Sequence, residues 1–256
     1  SILSGSINNS GTIISGTWSG IRINNSLVSG DLVNSGKIYG WTGIGIEASE
    51  VTGALINIGT LTGFNAPGLL VDNSTITGGL TNSGMIAGLA GTAITVSGGP
   101  TLNINNLVSG TIVGGISGNA NVTNSGLFAL QILSSVGGAI QAGSHAHASI
   151  SGDYYQAATG TLQVGATGAG GSGTTPGQYS TLIVDGSAIL DSGSKIDVNL
   201  NDGSAVQAGG TLVGVITAGS TVSSSLLNIT DNSVLVNFTA LNTGNGLNLI
   251  AAASNV

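Results

Sequence analysis

The chain has 256 residues, among them 45 Gly, 3 Pro and no Cys; 5% are charged, 4% are aromatic, the mean hydropathy is positive and the formal charge is −7. This combination excludes a disordered chain, which needs low hydropathy and high charge, and is foreign to an ordinary globular enzyme. Three basic residues (Arg22, Lys37 and Lys195) supply no cationic stripe for phosphates or anionic lipid, and the lack of Cys rules out disulfides and thiolate metal sites, so nucleic acid is not expected as a partner.

Ser, Thr and Asn take over from charge as the source of solubility, because their side chains hydrogen-bond to turn backbone and to water. The opening Ser1-Ile2-Leu3-Ser4-Gly5 has no Met and no charged stretch ahead of an apolar one, so the expectation is a fragment of a longer protein. No run of about 18 apolar residues predicts a transmembrane helix.

One unit then recurs along the chain: a short alternating strand, a polar Asn-Ser-Gly step and a second strand. It reads INNSGTIISG at 7–16, LVNSGKIYG at 32–40, LINIGTLTG at 55–63 and LTNSGMIAG at 80–88, with weaker copies NNLVSGTIVG at 105–114 and VTNSGLFAL at 122–130. Aligned on Gly11, Gly36, Gly59, Gly84, Gly110 and Gly126, the spacings are 25, 23, 25, 26 and 16. Between these units lies another strand pattern, IRINNSLVSG at 21–30, IGIEASEVTG at 44–53 and LLVDNSTITG at 69–78.

Val, Ile, Leu and Thr dominate at period two, which is a strand signature, and no window shows the 3.6 period of a helix. About two dozen residues with three short strands, turning at Gly or Asn, predict one coil of an all-β solenoid, a right-handed parallel β-helix. Each coil buries its inward face only by stacking on its neighbours. About eleven coils at roughly 4.8 Å each predict a rod on the order of 50 Å long. Asn34, Asn57, Asn82 and Asn124 fall at equivalent turns and are expected to stack as a structural ladder, amide to amide.

The character changes near residue 150, which divides the chain into β-helix repeats at 1–150 and a C-terminal β-helix end with a cap at 151–256. The acidic residues also redistribute: Asp31, Glu47, Glu50 and Asp72 before the boundary, six Asp after it. In the second region GDYYQAATGTLQVGATG at 152–168 is followed by a Gly-rich loop, QYSTLIVDGSAILDSGSKIDVNL at 178–200 and AGGTLVGVITAG at 208–219.

This region resembles the C-terminal passenger region of type V autotransporters, whose pattern reads G-x-Y-x-Q, then G-T-L-x-V, then Y-x-x-L-x-V-x-G-x-A-x-L-x-x-G. The matching positions are Gly152, Tyr154, Gln156, Gly160, Leu162 and Val164, followed by Tyr179, Leu182, Val184, Gly186, Ala188, Leu190 and Gly193. The upstream N-S-G-x-I-x-G units are also similar to passenger β-helices, so the resemblance covers nearly the whole chain. It implies a parallel β-helix ending in a β-sandwich-like, autochaperone-like section that assists folding outside the cell. It also implies an outer-membrane β-barrel as a partner in the full-length chain, and a place on the bacterial cell surface. A terminal segment of different character is what a solenoid needs, since an open last coil exposes strand edges and apolar side chains.

Other motifs weigh toward structure. Gly168-Ala169-Gly170-Gly171-Ser172-Gly173 matches G-x-G-x-x-G, but no helix pattern follows and Pro176 is close, so it reads as a loop. Gly43-Ile44-Gly45-Ile46-Glu47-Ala48 falls inside an alternating strand. His145 and His147, separated by one residue, would face one side of a strand and could share a metal, but an isolated pair lacks the further ligands of a stable site, so no metal is expected and the pair reads as an exposed or capping pair in the loop joining the two regions. No cofactor is expected.

Glu47 and Glu50 should point to opposite faces of one strand. Asp185, Asp191 and Asp197 recur every six residues, and the nearby Gly186 and Gly193 make them turn residues. Trp18 and Trp41 each follow a repeat-ending Gly, which places both at one corner; with Tyr39 they are the candidate surface contact for sugars or another protein.

The reading reached from sequence is a non-enzymatic, surface-displayed passenger acting in adhesion, self-association or biofilm formation, with itself or with host surface or matrix glycans and proteins as partners. Two alternatives stand beside it. One is an inert stalk carrying an N-terminal effector; the other is a β-helix polysaccharide-degrading enzyme, which needs clustered carboxylates with Arg or Lys.

Overall fold

A computed structural model describes residues 1–168, 178–201 and 204–254. Every helix or strand among them is a strand, arranged in three sheets of four, nine and seventeen strands. The loop reading of the G-x-G-x-x-G match falls, beyond Gly168, outside the described residues.

Alternation dictates how the early chain runs. Ile2–Leu3 joins the four-stranded sheet, Ile7–Asn9 the nine-stranded sheet, and Thr12–Ile14 and Ile21–Asn24 the seventeen-stranded sheet. Leu27–Val28 then returns to the first sheet and pairs in parallel with Ile2–Leu3. A circuit therefore holds four strands at this end, where the sequence suggested three. The four-stranded sheet stops at Thr75–Ile76. In the next circuits Met85–Ser97 and Thr111–Gly118 run unbroken through the corner that earlier circuits divide into two strands.

Along the nine-stranded sheet, Asn9, Asn34, Asn57, Asn82, Asn106, Asn124, Gln156, Leu190 and Ser224 are successive register partners, all parallel. This gives nine circuits among the described residues, fewer than the eleven expected. The reason lies in the later circuits: Asn124 to Gln156 takes 32 residues, and each of the next two steps takes 34. The excess sits in excursions such as 131–146 between Leu127–Leu130 and His147–Ile150. The parallel pairing runs through residue 150 without a break, from Ala120–Asn124 to Tyr154–Gln156 and on to Ala188–Leu190. Stacked parallel strands of this kind are compatible with a solenoid.

The inward residues form one file. Ile13, Ile38, Leu61, Ile86, Ile112, Phe128, Leu162, Ile196 and Ile229 follow one another in register, and one buried apolar cluster extends from Ile23 to Ala251. Each fully buried Leu or Ile in such a file contributes about 1.5–3 kcal/mol by removal from water. A one-residue slip would turn the whole file outward, so burial fixes the register.

Two corners show why the repeat is spelled as it is. At the Asn-Ser-Gly step the turns stack so closely that a Cβ on Gly59 would lie 1.9 Å from the Gly36 carbonyl oxygen. At the corner that follows Ile21–Asn24, Ile44–Glu47, Leu69–Asp72 and Met85–Ser97, the residues Asn25, Ala48, Asn73 and Gly98 all adopt left-handed backbone, with φ of 46°, 47°, 45° and 49°. Asn and Gly accept that conformation readily, and Ala48 is the exception.

The two ends of the stack differ. Ile2, Leu3 and Ile14 at the first circuit are exposed. At the other end the pattern turns antiparallel: Val236–Asn242 and Gly246–Ala253 form a hairpin whose second strand pairs with Thr211–Ala218. Val236, Phe238, Leu247, Leu249 and Ala251 of this hairpin belong to the main core.

Candidate functional surfaces

The Asn-Ser-Gly corner brings the expected asparagines together and adds two that the sequence reading did not name. Nδ2 of Asn9 donates to Oδ1 of Asn34, and the same bond links Asn34 to Asn57, Asn57 to Asn82, Asn82 to Asn106 and Asn106 to Asn124, each at 2.8 Å. The second Nδ2 hydrogen of Asn34, Asn57, Asn106 and Asn124 reaches a carbonyl of the next circuit at 3.1 Å: Thr60, Met85, Leu127 and Thr161. Asn57, Asn82, Asn106 and Asn124 are wholly buried. A buried primary amide is costly unless its donors and acceptor are used, and here each amide serves the next.

The ladder ends in the residues that carry the G-x-Y-x-Q match. Tyr154 and Gln156 sit over Val122 and Asn124. The buried Tyr154 hydroxyl donates to Gln156 Oε1 at 2.6 Å, and Gln156 Nε2 donates to the Lys195 carbonyl at 2.8 Å. Burial pushes the Tyr154 phenol well above its ordinary pKa, while its hydrogen bond with Asn124 pulls the other way. One circuit later the position is Leu190, and the amide file stops.

Trp18 and Trp41 occupy consecutive turns, the Trp41 N–H donating to the Trp18 carbonyl at 2.9 Å, and their side chains are 71% and 48% exposed. Tyr39, in Lys37–Gly40, is half-buried on the outer face between Ile14 and Thr62. Further along that outer row, Ala87, Val113 and Ala129 are buried under Leu133 and Ile140 of the 131–146 excursion. The aromatic corner lies on the part of the face that this excursion leaves open.

The acids are placed differently from expectation. Glu47 and Glu50 lie in different sheets, because the left-handed turn at Ala48 separates Ile44–Glu47 from Glu50–Val51. Glu47 instead aligns with Asp72 and pairs with Arg22 at 2.5 Å, Asn24 adding a bond at 3.1 Å. The Arg22 hydrogen bond holds the Glu47 carboxyl below its usual range. Asp185 and Asp191 follow strands, in turns, as the nearby glycines suggested. Asp197 does not: it lies inside Lys195–Leu200, since the glycines fall before that strand begins. Burial pushes its carboxyl up, but bonds from Thr230, from Gln163 at 2.8 Å and from Lys195 at 3.1 Å outweigh it and leave the pKa lowered.

Comparison with protein-family models gives no match, and neither does comparison with curated proteins.

His145 precedes the strand His147–Ile150 and His147 opens it; their ring centres are 5.8 Å apart. No group of three or more His, Cys, Asp or Glu capable of holding a metal occurs among the described residues. A depression of about 570 Å³ is walled by residues such as Ser224, Leu227, Asn228, Phe238, Asn242 and Leu247 near the C-terminal hairpin, without an acid or base in its lining. The chemistry on offer is that of hydrogen-bonding faces, two exposed indoles and one imidazole pair.

Proposed function

We propose that this chain is a type V autotransporter passenger, folded as a right-handed parallel β-helix, displayed outside the cell and acting through its flanks in adhesion or self-association without catalysing a reaction. Right-handedness follows from the twist of the strands, which fixes the hand of parallel connections in about 98% of cases. The observation that carries the reading is the nine-circuit parallel stack with its amide ladder. Such a stack presents long flat rows of side chains at one spacing.

One row, on the outside of the nine-stranded sheet, runs Asn8, Val33, Ile56, Thr81, Asn105, Thr123, Tyr155, Ile189 and Ser223. Rows like this suit many weak contacts made at once, which gain strength by avidity. The C-terminal hairpin fits the autochaperone-like role, since it supplies apolar residues to the end of the core.

The test is cell clumping by bacteria displaying the full-length protein, with Thr81→Asp and Thr123→Asp together as the variant. The expected result is clumping by the wild type and dispersed cells for the charged variant at equal surface level. Dispersed wild-type cells would overturn the reading in favour of an inert stalk. The enzymatic alternative draws on one observation, the register pair Glu47 and Asp72 with Arg22 ion-paired to Glu47. It requires cleavage of an acidic polysaccharide that Glu47→Gln abolishes.

A further inference from the structure

We propose that His145 and His147 form a site for a divalent transition-metal ion of the Cu²⁺, Zn²⁺ or Ni²⁺ class, bound by two imidazoles with water in the remaining positions. Three independent observations meet at this pair. The first is spacing: residues two apart in extended chain project to one side, and the two ring centres are 5.8 Å apart. With metal–nitrogen bonds of about 2.1 Å, a shared ion holds two imidazole centres roughly 4.5–6.5 Å apart. The observed separation falls within that range.

The second observation is orientation. His147 Nδ1 is hydrogen-bonded to Thr181 Oγ1 at 2.8 Å, across the parallel pairing of His147 with Thr181. A partner on one ring nitrogen orients the imidazole and leaves Nε2 for an ion, as the outer hydrogen bonds of metal-bound histidines do. The third observation is an unmet need: His145 Nδ1 is buried and has no hydrogen-bond partner. A buried imidazole nitrogen left unpaired is destabilising, and an ion at the pair supplies the missing partner.

Imidazole ligands without thiolate or carboxylate select Cu²⁺, Ni²⁺ and Zn²⁺ over Mg²⁺ or Ca²⁺. Since no third protein ligand joins the pair among the described residues, the ion is exchangeable rather than a folding requirement.

The experiment uses tag-free protein and Cu²⁺ alone, with calorimetric titration for stoichiometry and electron paramagnetic resonance to count nitrogen ligands. The expected result is one Cu²⁺ with two imidazole nitrogens, and binding at least tenfold weaker in His147→Asn, whose exposed side chain makes the substitution compatible with folding. Circular dichroism checks that fold, and Thr181→Val is expected to weaken binding by less than His147→Asn. Wild-type protein that takes up no Cu²⁺, or uptake that persists unchanged in His147→Asn, as binding at the Ser1 amine would, overturns the proposal.

Discussion

Asn82 stands at the middle of the amide ladder, and its removal tests what that ladder contributes. Asn82→Ala leaves Asn106 Oδ1 without its donor and takes the acceptor from one Asn57 hydrogen, both in fully buried positions. Each orphaned group costs about 1–3 kcal/mol, so denaturant unfolding should show a loss of about 2–6 kcal/mol. Asn9→Ala, at the half-exposed end of the same file, orphans only Asn34 Oδ1 and should cost less than Asn82→Ala, about 1 kcal/mol. Ala48 predicts the opposite sign. It holds φ of 47° where its neighbours in the stack are Asn25 and Asn73. Ala48→Asn should therefore stabilise by about 0.5–1 kcal/mol in the same measurement.

Asp197 carries a pH prediction. Its folded pKa is lowered, so the stability it contributes is present above the ordinary aspartate pKa and is lost as pH falls through the folded value. Melting curves of wild type and Asp197→Asn should differ by about 1 kcal/mol at neutral pH and converge in acid. A gap that stays constant in acid would assign the effect to packing.

At the scale of strands and turns, Gly59→Ala is the severe change, because its Cβ would meet the Gly36 carbonyl at 1.9 Å and the two turns would have to part. A loss of about 3 kcal/mol is expected from unfolding curves, as for overpacked sites. This glycine, like the period-two strands, was legible in the sequence, since steric need and burial are written into single residues. Asn106 was less so: its turn reads Asn-Leu-Val-Ser-Gly, two residues longer than Asn-Ser-Gly, and alignment on Gly110 moved the Asn out of line. Gln156 has the same longer turn, ending at Gly160, and the extra methylene of Gln hid its place at the end of the file. The strand at Asp197 was missed because Gly193 ends a turn before the strand instead of interrupting it. The Thr181 partner of His147 lies 34 residues away, a distance set by a circuit length that the early repeats do not announce.

The whole molecule is a stack whose sides are long and whose ends are unlike. The first circuit leaves Ile2, Leu3 and Ile14 exposed, whereas the last parallel strands give way to an antiparallel hairpin that contributes to the core. Side-to-side contact is therefore the mode that uses most of the surface, and the outer row through Thr81 and Thr123 runs the length of the nine-stranded sheet. Binding of these flanks to one another, as proposed, is read by sedimentation velocity across a concentration series. The expected sedimentation coefficient rises with concentration for the wild type and stays at the monomer value for Thr81→Asp combined with Thr123→Asp. A wild type that sediments as a monomer up to its solubility limit would contradict it.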